Sequence, residues 1–413
     1  MKELQSLPPE LTRLVASHLP PRDRLSLAGT SRSLNHRLEI EQEAARITLG
    51  AARARTADNL TGLLTRVARL PKSFQREPFM ALAAQIRQLP EAGRTATFDG
   101  MFNALRQLPA EHRHGPLSSL ASMIEHLPDA DQMAAFNGAF NAAGQLPGEY
   151  RHGPLEALAP MIGRLPSAAR TKAFNGVFGA IGQLSAGRRC GPLGALVPMI
   201  RHLPGETRET AFDRVFAATQ QLPAGLRREP LSALARMIEH LPQADLMTVF
   251  NRISDATGHL PAQHRHEPLG TLARWIGRLP LVDRTLMFDR ILVQARQLPG
   301  ERRSEPLTEL ASHIWTLPLA DRAAAFDGVF DAGGQLPDEF RHGLLNTLAT
   351  WIGVLPSAHR TAAFDSVLGA AARLPGDYPL QQLNNALLIT IGSLAQEDQA
   401  MALHRLNQSI ISV

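Results

Sequence analysis

Residues 108–126 read LPAEHRHGPLSSLASMIEH, and residues 127–145 read LPDADQMAAFNGAFNAAGQ. Both stretches are nineteen residues long and begin with Leu-Pro. The leucine recurs every nineteen residues from Leu70 to Leu374, and a proline follows it at every step except after Leu184. A period this strict, without an insertion, is typical of a repeat array whose units stack on their neighbours. Such an array presents one long surface, so we expect binding rather than catalysis.

The two kinds of stretch alternate, so the repeating unit is 38 residues long and predicts two helices. In the first kind, the apolar residues from Leu117 to Ile124 are spaced by three, one and three, which places them on one helix face. In the second kind, phenylalanines four residues apart, such as Phe136 and Phe140, form a stripe typical of a helical core. We therefore expect an all-α fold, an α-solenoid of about eight two-helix repeats similar to HEAT and armadillo repeats.

The head of the chain does not follow the array. Pro8 and Pro9 can open a helix, and Glu10 favours its positively polarised N-terminal end. The head resembles an F-box, and the residues that carry the resemblance are Leu7, Pro8, Glu10, Leu11, Val15, Leu19, Leu25, Leu27, Ser31, Arg32 and Leu34. It departs from many F-boxes in lacking a tryptophan shortly after Arg32.

The F-box resemblance implies docking to the Skp adaptor of a cullin–RING ubiquitin ligase. The adaptor-binding residues that it implies are Leu7, Pro8, Leu11, Val15, Leu19 and Leu25. The alternative is an N-terminal cap that seals the solenoid. The predicted domains are an F-box-like segment at 1–45, a helical linker with a degenerate first helix at 46–69, solenoid repeats at 70–373 and capping helices at 374–413.

No residue pattern predicts catalysis, a metal site or a cofactor. One histidine per unit, as at His114 and His152, recurs at a spacing that would separate neighbours by about 10 Å, too far to share a zinc ion. Cys190 is the single cysteine and has no candidate base at a matching position. We expect a protein that is not an enzyme and works in a reducing cytoplasm.

Position six of most stretches, counted from the leucine, is arginine, as at Arg113, and position eleven of the second kind is Asp or Asn. Glutamines such as Gln107 form a further row at the predicted helix ends, where bonding to free backbone carbonyls is an equal alternative. Residues present in every unit mostly serve what every unit needs, so we expect them to join neighbouring repeats. The alternative is a ladder that grips the backbone of an extended peptide, as armadillo asparagines do.

Target binding is predicted where the units differ. Position twelve of the second kind is arginine in three consecutive units, and tryptophans begin in the same part of the chain, the first of them between the second and third arginine. Arg and Trp are enriched at interface hot spots. The target-binding residues we expect, for an acidic or phosphorylated protein segment, are Arg214, Arg252, Arg290, Trp275 and Trp351. The alternative is an ordinary solvated surface.

The function that these patterns favour is a substrate receptor that captures a protein target for ubiquitination. Only three of the 43 basic residues are lysines, and the repeats are uniform, which favours a bacterial effector delivered into a host cytoplasm or nucleus. The alternatives are a protein-binding scaffold without a ligase link and a nucleic-acid-binding repeat protein. A net charge of +5 over 413 residues does not demand a nucleic-acid partner, and no apolar run long enough for a membrane span is present.

Overall fold

A computed structural model describes residues 14–16, 18–29, 38–241, 245–375 and 381–411. Within these ranges every regular element is a helix, so the protein is all-α as predicted. Contacts between residues divide the chain into two compact units, Met1–Ala218 and Thr219–Val413, with the division inside one helix. The predicted domain boundaries stay predictions.

The first unit contains ten complete helices and most of an eleventh among its described residues. They are α1 (Pro21–Gly29), α2 (Glu39–Ala51), α3 (Ala57–Arg69), α4 (Arg76–Ala83), α5 (Glu91–Leu105), α6 (Ala110–Ala121), α7 (Asp129–Gly144), α8 (His152–Leu158), α9 (Ser167–Gly182), α10 (Cys190–Leu196) and α11 (Gly205–Gln220).

The second unit continues the same alternation. Its helices are α12 (Arg228–Arg236), α13 (Leu246–Gly258), α14 (His266–Trp275), α15 (Leu281–Arg296), α16 (Ser304–His313), α17 (Arg322–Gly333), α18 (Asp338–Trp351), α19 (Ser357–Ala371), α20 (Gln381–Ile391) and α21 (Gln396–Ile411).

Like helices stack on like helices within each unit, which is the arrangement of an α-solenoid. In the first unit α4 contacts α6, α6 contacts α8, and α3 contacts α5. In the second unit α14 contacts α16, α16 contacts α18, and α15 contacts α17. These helices therefore pack on the equivalent helices of the next repeat.

The core is built from the two predicted rows. All eight isoleucines at position seventeen of the first stretch are at most 1% exposed, and Phe136 and its equivalents are at most 2% exposed. The isoleucine does not lie inside the α-helix, however. It lies in a short 3₁₀ turn that follows the helix, as in Ile124–His126, where it reaches the core beside the joint.

The joints between helices follow from the Leu-Pro pair. Leu127 is extended, with φ −77° and ψ 156°, because a residue that precedes proline avoids the helical region. Pro128, with φ −53° and ψ 141°, precedes the first residue of α7. The residues after Leu-Pro in the first kind of stretch can form a helical turn of their own. It exists as a 3₁₀ turn in several repeats, such as Gly148–Tyr150, whereas α6 runs through the region as one helix.

Candidate protein-interaction surfaces

The head of the chain has a small core of its own. Ala16, Ala28 and Leu38 are almost completely buried together, and Leu27 packs against them half-buried. α1 also packs on α2, which in turn contacts α3 and α4. The head is therefore attached to the first repeats through α2.

Three of the predicted adaptor-binding residues lie among the described residues. Val15 is exposed, as is its neighbour Leu14, whereas Leu19 and Leu25 are half-buried. Leu7, Pro8 and Leu11 lie outside the described residues. The adaptor-binding set stays a prediction. Within it Val15, together with the neighbouring Leu14, forms an exposed apolar surface.

Arg24 joins the head to the repeats. Its Nε donates a hydrogen bond to the carbonyl of Leu19 at 2.7 Å, and its Nη1 lies 2.8 Å from a carboxylate oxygen of Glu77 on α4. Arg24 and Glu77 line a cavity of about 450 Å³ together with Arg76 and Met80. The sequence from Leu19 to Arg24 has the Leu-Pro-x-x-x-Arg spacing of the array, a likeness that sequence analysis missed.

The arginine row at position six has a uniform structural role. Every arginine of the row donates from its guanidinium group to the carbonyl of the leucine five residues earlier, at 2.5 to 3.0 Å. Several also reach a second stretch: Arg284 donates to the carbonyl of Thr316 in the next repeat at 2.7 Å, and Arg265 donates to the side-chain oxygen of Gln297, at the end of its own repeat, at 2.9 Å. Contacts such as that of Arg284 confirm that the row joins neighbouring repeats, whereas the contacts with the glutamine row join the two stretches of one repeat.

Arg214 and Arg290, at position twelve, also make contacts between repeats. Arg214 Nη1 donates to Asn175 Oδ1 at 2.5 Å, and its guanidinium carbon lies 4.5 Å from the centre of the Phe178 ring. Arg290 donates to Asn251 Oδ1 at 3.0 Å and forms an ion pair with Asp255.

The acceptors at position eleven therefore belong to the preceding repeat. Arg214 lies in the first unit, and Arg252 and Arg290 lie in the second. Their role in target binding stays a prediction.

The tryptophans all lie in the second unit. Trp275 is half-buried under the guanidinium group of Arg278, 5.0 Å from the ring centre. It lines a cavity of about 220 Å³ together with Ile238 and Leu246. Trp315 and Trp351 stack with their ring centres 6.1 Å apart, and Trp315 is exposed. The structure thus brings Trp315 and Trp351 together, whereas Trp275 packs within a different repeat.

The histidine row makes local contacts. The ring of His114 stacks on that of Tyr150 at 5.0 Å, and His152 Nδ1 lies 3.3 Å from Arg188 Nη1. Burial, and then the nearby Arg76, lower the pKa of His114. Among the described residues no three metal-binding side chains converge on one point, and Cys190 is half-buried.

One surface was missed by sequence analysis. On α15 the side chains of Val282, Leu286 and Val293 are 85%, 63% and 54% exposed. These three residues occupy positions four, eight and fifteen of their stretch, where the other seven units carry Ala, Thr, Asn, Asp, Glu, Gly or Lys. A comparison of the solvent-facing positions of the eight units would have found these residues in the sequence. We call these three side chains the α15 outer face.

The head matches a known domain. Residues 4–40 match the family model of the F-box domain, and this segment contains all six residues that the resemblance assigned to adaptor binding. A search of curated proteins finds no match. Across the described part of the chain, no helix combines the length and apolar character that crossing a bilayer requires.

Three solved structures show a helical likeness. An engineered protein is 14% identical over 89% of this chain and 95% of that chain, with a TM-score of 0.39. Yeast Rmd9p, solved in complex with a 16-nucleotide target RNA, is 11% identical over 95% of this chain and 79% of that chain, with a TM-score of 0.40. A circular tandem repeat protein is 13% identical over 98% of this chain and 94% of that chain, with a TM-score of 0.22. Likenesses at this level carry no inference about function.

Proposed function

We propose that the chain is a non-enzymatic substrate receptor of a cullin–RING ubiquitin ligase. In this proposal residues 4–40 dock on the Skp adaptor, and the repeats hold a protein target. The observation that carries the proposal is the F-box match at residues 4–40, because F-box domains generally bind this adaptor. The exposed Leu14 and Val15 support it, since apolar side chains on a small helical head are suited to cover by a partner.

The repeats supply the second half of the proposal. Repeat arrays commonly bind proteins along the surface that successive units form. In this chain the residues common to all units are used for stacking, so recognition falls to residues that differ between units. A receptor of this design needs no catalytic group, because the ubiquitin-transfer chemistry belongs to other subunits of the ligase.

Adaptor binding tests the proposal. The double variant L7A/P8A should bind purified Skp adaptor at least about tenfold more weakly than the wild-type chain, as expected for central apolar contacts. A matched control is L388A/I389A, which removes two exposed apolar side chains from α20 at the other end of the chain. Titration calorimetry should show unchanged adaptor binding for the control, and circular dichroism should show unchanged helicity for both variants. Equal adaptor affinity for wild-type chain and L7A/P8A would refute the ligase link.

A second candidate function is a scaffold in which the head is only a cap. The bond from Arg24 to the Leu19 carbonyl favours this candidate, because it repeats the joint used throughout the array. The ion pair with Glu77 on α4 points the same way. The adaptor titration separates the two: a cap without ligase function leaves the wild-type chain unable to bind the adaptor at all.

We further propose that the ligase belongs to a host cell and that the chain is a bacterial effector. The low lysine content and the uniform repeats support this proposal. Expression in cultured eukaryotic cells, followed by capture of the chain, should recover the adaptor and the cullin with the wild-type chain and neither with L7A/P8A. Recovery of the cullin with both proteins would contradict it.

A further inference from the structure

The α15 outer face is a stripe rather than a scatter of apolar residues. Val282, Leu286 and Val293 are spaced by four and seven residues, so their side chains lie within about 40° of one another around the helix. The stripe is about 16 Å long at the rise of an α-helix. It covers three turns, which is the length over which an amphipathic helix makes a continuous contact.

The fold does not require these apolar side chains. The core face of α15 is already complete, with Met287, Phe288 and Ile291 almost fully buried. The equivalent outer positions are Ala92, Ala96 and Asn103 on α5, and Ala130, Ala134 and Asn141 on α7. Repeats of the same design therefore stack without an apolar outer face, which leaves contact with another molecule as the reason for it.

The side of the stripe that faces α17 carries an excess of carboxylates. Thr285 Oγ1 donates to Asp321 Oδ2 at 2.6 Å, which places Asp321 beside the first half of α15. Gly328 allows a close approach of the two helices, because a Cβ there would lie 2.8 Å from the Leu292 side chain. Asp289 on α15 is exposed, and so are Asp327 and Asp331 on the neighbouring helix α17.

These carboxylates interact in two pairs, Asp289 with Asp321 and Asp327 with Asp331. Burial, and then the charge of Asp321, raise the pKa of Asp289. Burial, and then the charge of Asp331, raise the pKa of Asp327. A like charge that raises a carboxyl pKa shows that the groups repel one another, and a cation placed among them relieves that repulsion.

The two arginines of this surface already have partners, and the charge of Arg296 also acts on Asp289, whose pKa it lowers. Arg290 is paired with Asn251 and Asp255 on the side away from α17, and Arg296 donates to the carbonyl of Gly328 at 2.9 Å. The α17 side of the stripe therefore keeps more acidic than basic groups.

We infer that the α15 outer face is the docking site for a basic amphipathic helix of a partner protein. Its apolar side would cover Val282, Leu286 and Val293, and its lysines or arginines would face Asp289, Asp321, Asp327 and Asp331. This inference rests on the proposed function, because it takes the repeats as the part that holds the target. It assigns the target a basic segment, whereas the arginines at position twelve predicted an acidic one.

The experiment uses the full chain and two designed helical peptides of about sixteen residues, the length of α15. One peptide carries leucine on one face and lysine on the other, and its counterpart carries glutamate in place of lysine. The variant V282A/L286A/V293N gives α15 the outer residues of α5 and α7 without a change of charge. The variant D289N/D327N introduces the asparagine that Asn137, Asn175 and Asn251 have at the same position.

We expect the lysine peptide to bind the wild-type chain and the glutamate peptide to bind at least about tenfold more weakly. The variant V282A/L286A/V293N should lose about tenfold in affinity for the lysine peptide. The variant D289N/D327N should bind it more weakly at low salt and show a smaller salt dependence. Circular dichroism should show the same helicity for all three proteins, since both variants copy residues that other repeats already carry.

Three outcomes would overturn the inference. The peptides could bind equally well, which would make the surface apolar without charge preference. The lysine peptide could bind the triple variant as well as the wild-type chain, which would place its site elsewhere. In the third outcome neither peptide binds, and analytical ultracentrifugation shows a dimer for the wild-type chain but not for the triple variant. That result would assign the face to a second copy of the chain.

Adaptor titration of the same proteins separates this inference from the proposed function. Loss of peptide binding with retained adaptor binding would count against the α15 site alone. Peptide binding that depends on the three apolar residues, in a chain that does not bind the adaptor, would count against the ligase link alone.

Discussion

Arg284 donates to two backbone carbonyls that belong to different repeats. One bond reaches Leu279 at 2.8 Å and the other reaches Thr316 at 2.7 Å. Hydrogen bonds from a charged donor contribute about 1.5–3 kcal/mol each, and both bonds of Arg284 are only partly buried, so the variant R284A should lower the free energy of unfolding of the second unit by about 3 kcal/mol.

The variant R284Q should lose less, about half as much, because glutamine can keep the bond to the leucine. Gln75 and Gln132 occupy position six elsewhere and donate to their own leucine carbonyls, as does Gln399 to the carbonyl of Leu394 beyond the array. All three tryptophans lie in the second unit, so urea unfolding followed by tryptophan fluorescence reports on that unit. Equal losses for R284A and R284Q would show that the leucine carbonyl bond contributes nothing.

His313 predicts a pH dependence. Burial lowers the pKa of His313 below its usual value, while Glu309 acts in the opposite direction. The unfolded chain therefore binds a proton more readily than the folded one, so stability falls as the pH drops below about 6.5 and on through the lower folded-state pKa.

The variant H313M should reduce this loss of thermal stability between pH 7 and pH 5. Methionine is the residue at the same position in other repeats, namely Met123, Met161, Met199 and Met237. Other histidines with lowered pKa values, such as His266, should leave part of the effect in place. An identical shift in melting temperature with pH for wild-type chain and variant would contradict the prediction.

At the scale of the helices, the contact between α13 and α15 combines stacking with an exposed polar link. Arg290 donates to Asn251 across the two repeats and pairs with Asp255. A double-mutant cycle of N251A and R290A should give a coupling free energy of about 0.5–1 kcal/mol, the range for partly exposed pairs. Urea unfolding by tryptophan fluorescence measures it. A coupling indistinguishable from zero would make the contact incidental and would return Arg290 to the set of side chains available for a target.

The helices themselves were predictable because two local rules fix them. The Leu-Pro pair ends one helix and positions the next, and the spacing of the buried residues selects the inward face. The 3₁₀ turn at Ile124 was not predictable from that spacing. Over only three residues, an α-helical turn and a 3₁₀ turn both bring the isoleucine to the buried face. The α15 outer face was overlooked because attention to residues shared by all units hides the ones that a single unit changes.

At the scale of the molecule, the period itself is testable. Deletion of residues 146–183 removes one 38-residue unit, that is, one stretch of each kind, and joins Gln145 to Leu184. Deletion of residues 165–183 removes 19 residues and places two stretches of the first kind in succession. The longer deletion should keep a cooperative thermal transition and the same helicity per residue, because every helix still meets an equivalent neighbour.

The shorter deletion should lower the melting temperature and broaden the transition, because the phenylalanine row loses one member while the isoleucine row does not. Circular dichroism during heating measures both. Equal melting temperatures for the two deletions would mean that the alternation of the two stretches is not what stabilises the array.

The F-box assignment could be predicted from the sequence because its pattern lies within about thirty consecutive residues. The site for the target could not, because each repeat offers several outward positions and only packing shows which of them are already occupied. Arg214 illustrates this: it is exposed, yet it contacts both Asn175 and the Phe178 ring of the preceding repeat.

The bond from the position-six arginine to the leucine carbonyl spans five residues, so each joint is specified within a short, continuous part of the chain. A nascent chain can therefore form each joint soon after the ribosome has released it, without waiting for residues that are still to be translated. A newly emerged pair of helices finds its stacking surface on the pair made just before it. We therefore expect the repeats to fold in the order of synthesis. In a ribosome-bound chain that ends after Gln145, the N-terminal repeats that have left the ribosome should already resist protease.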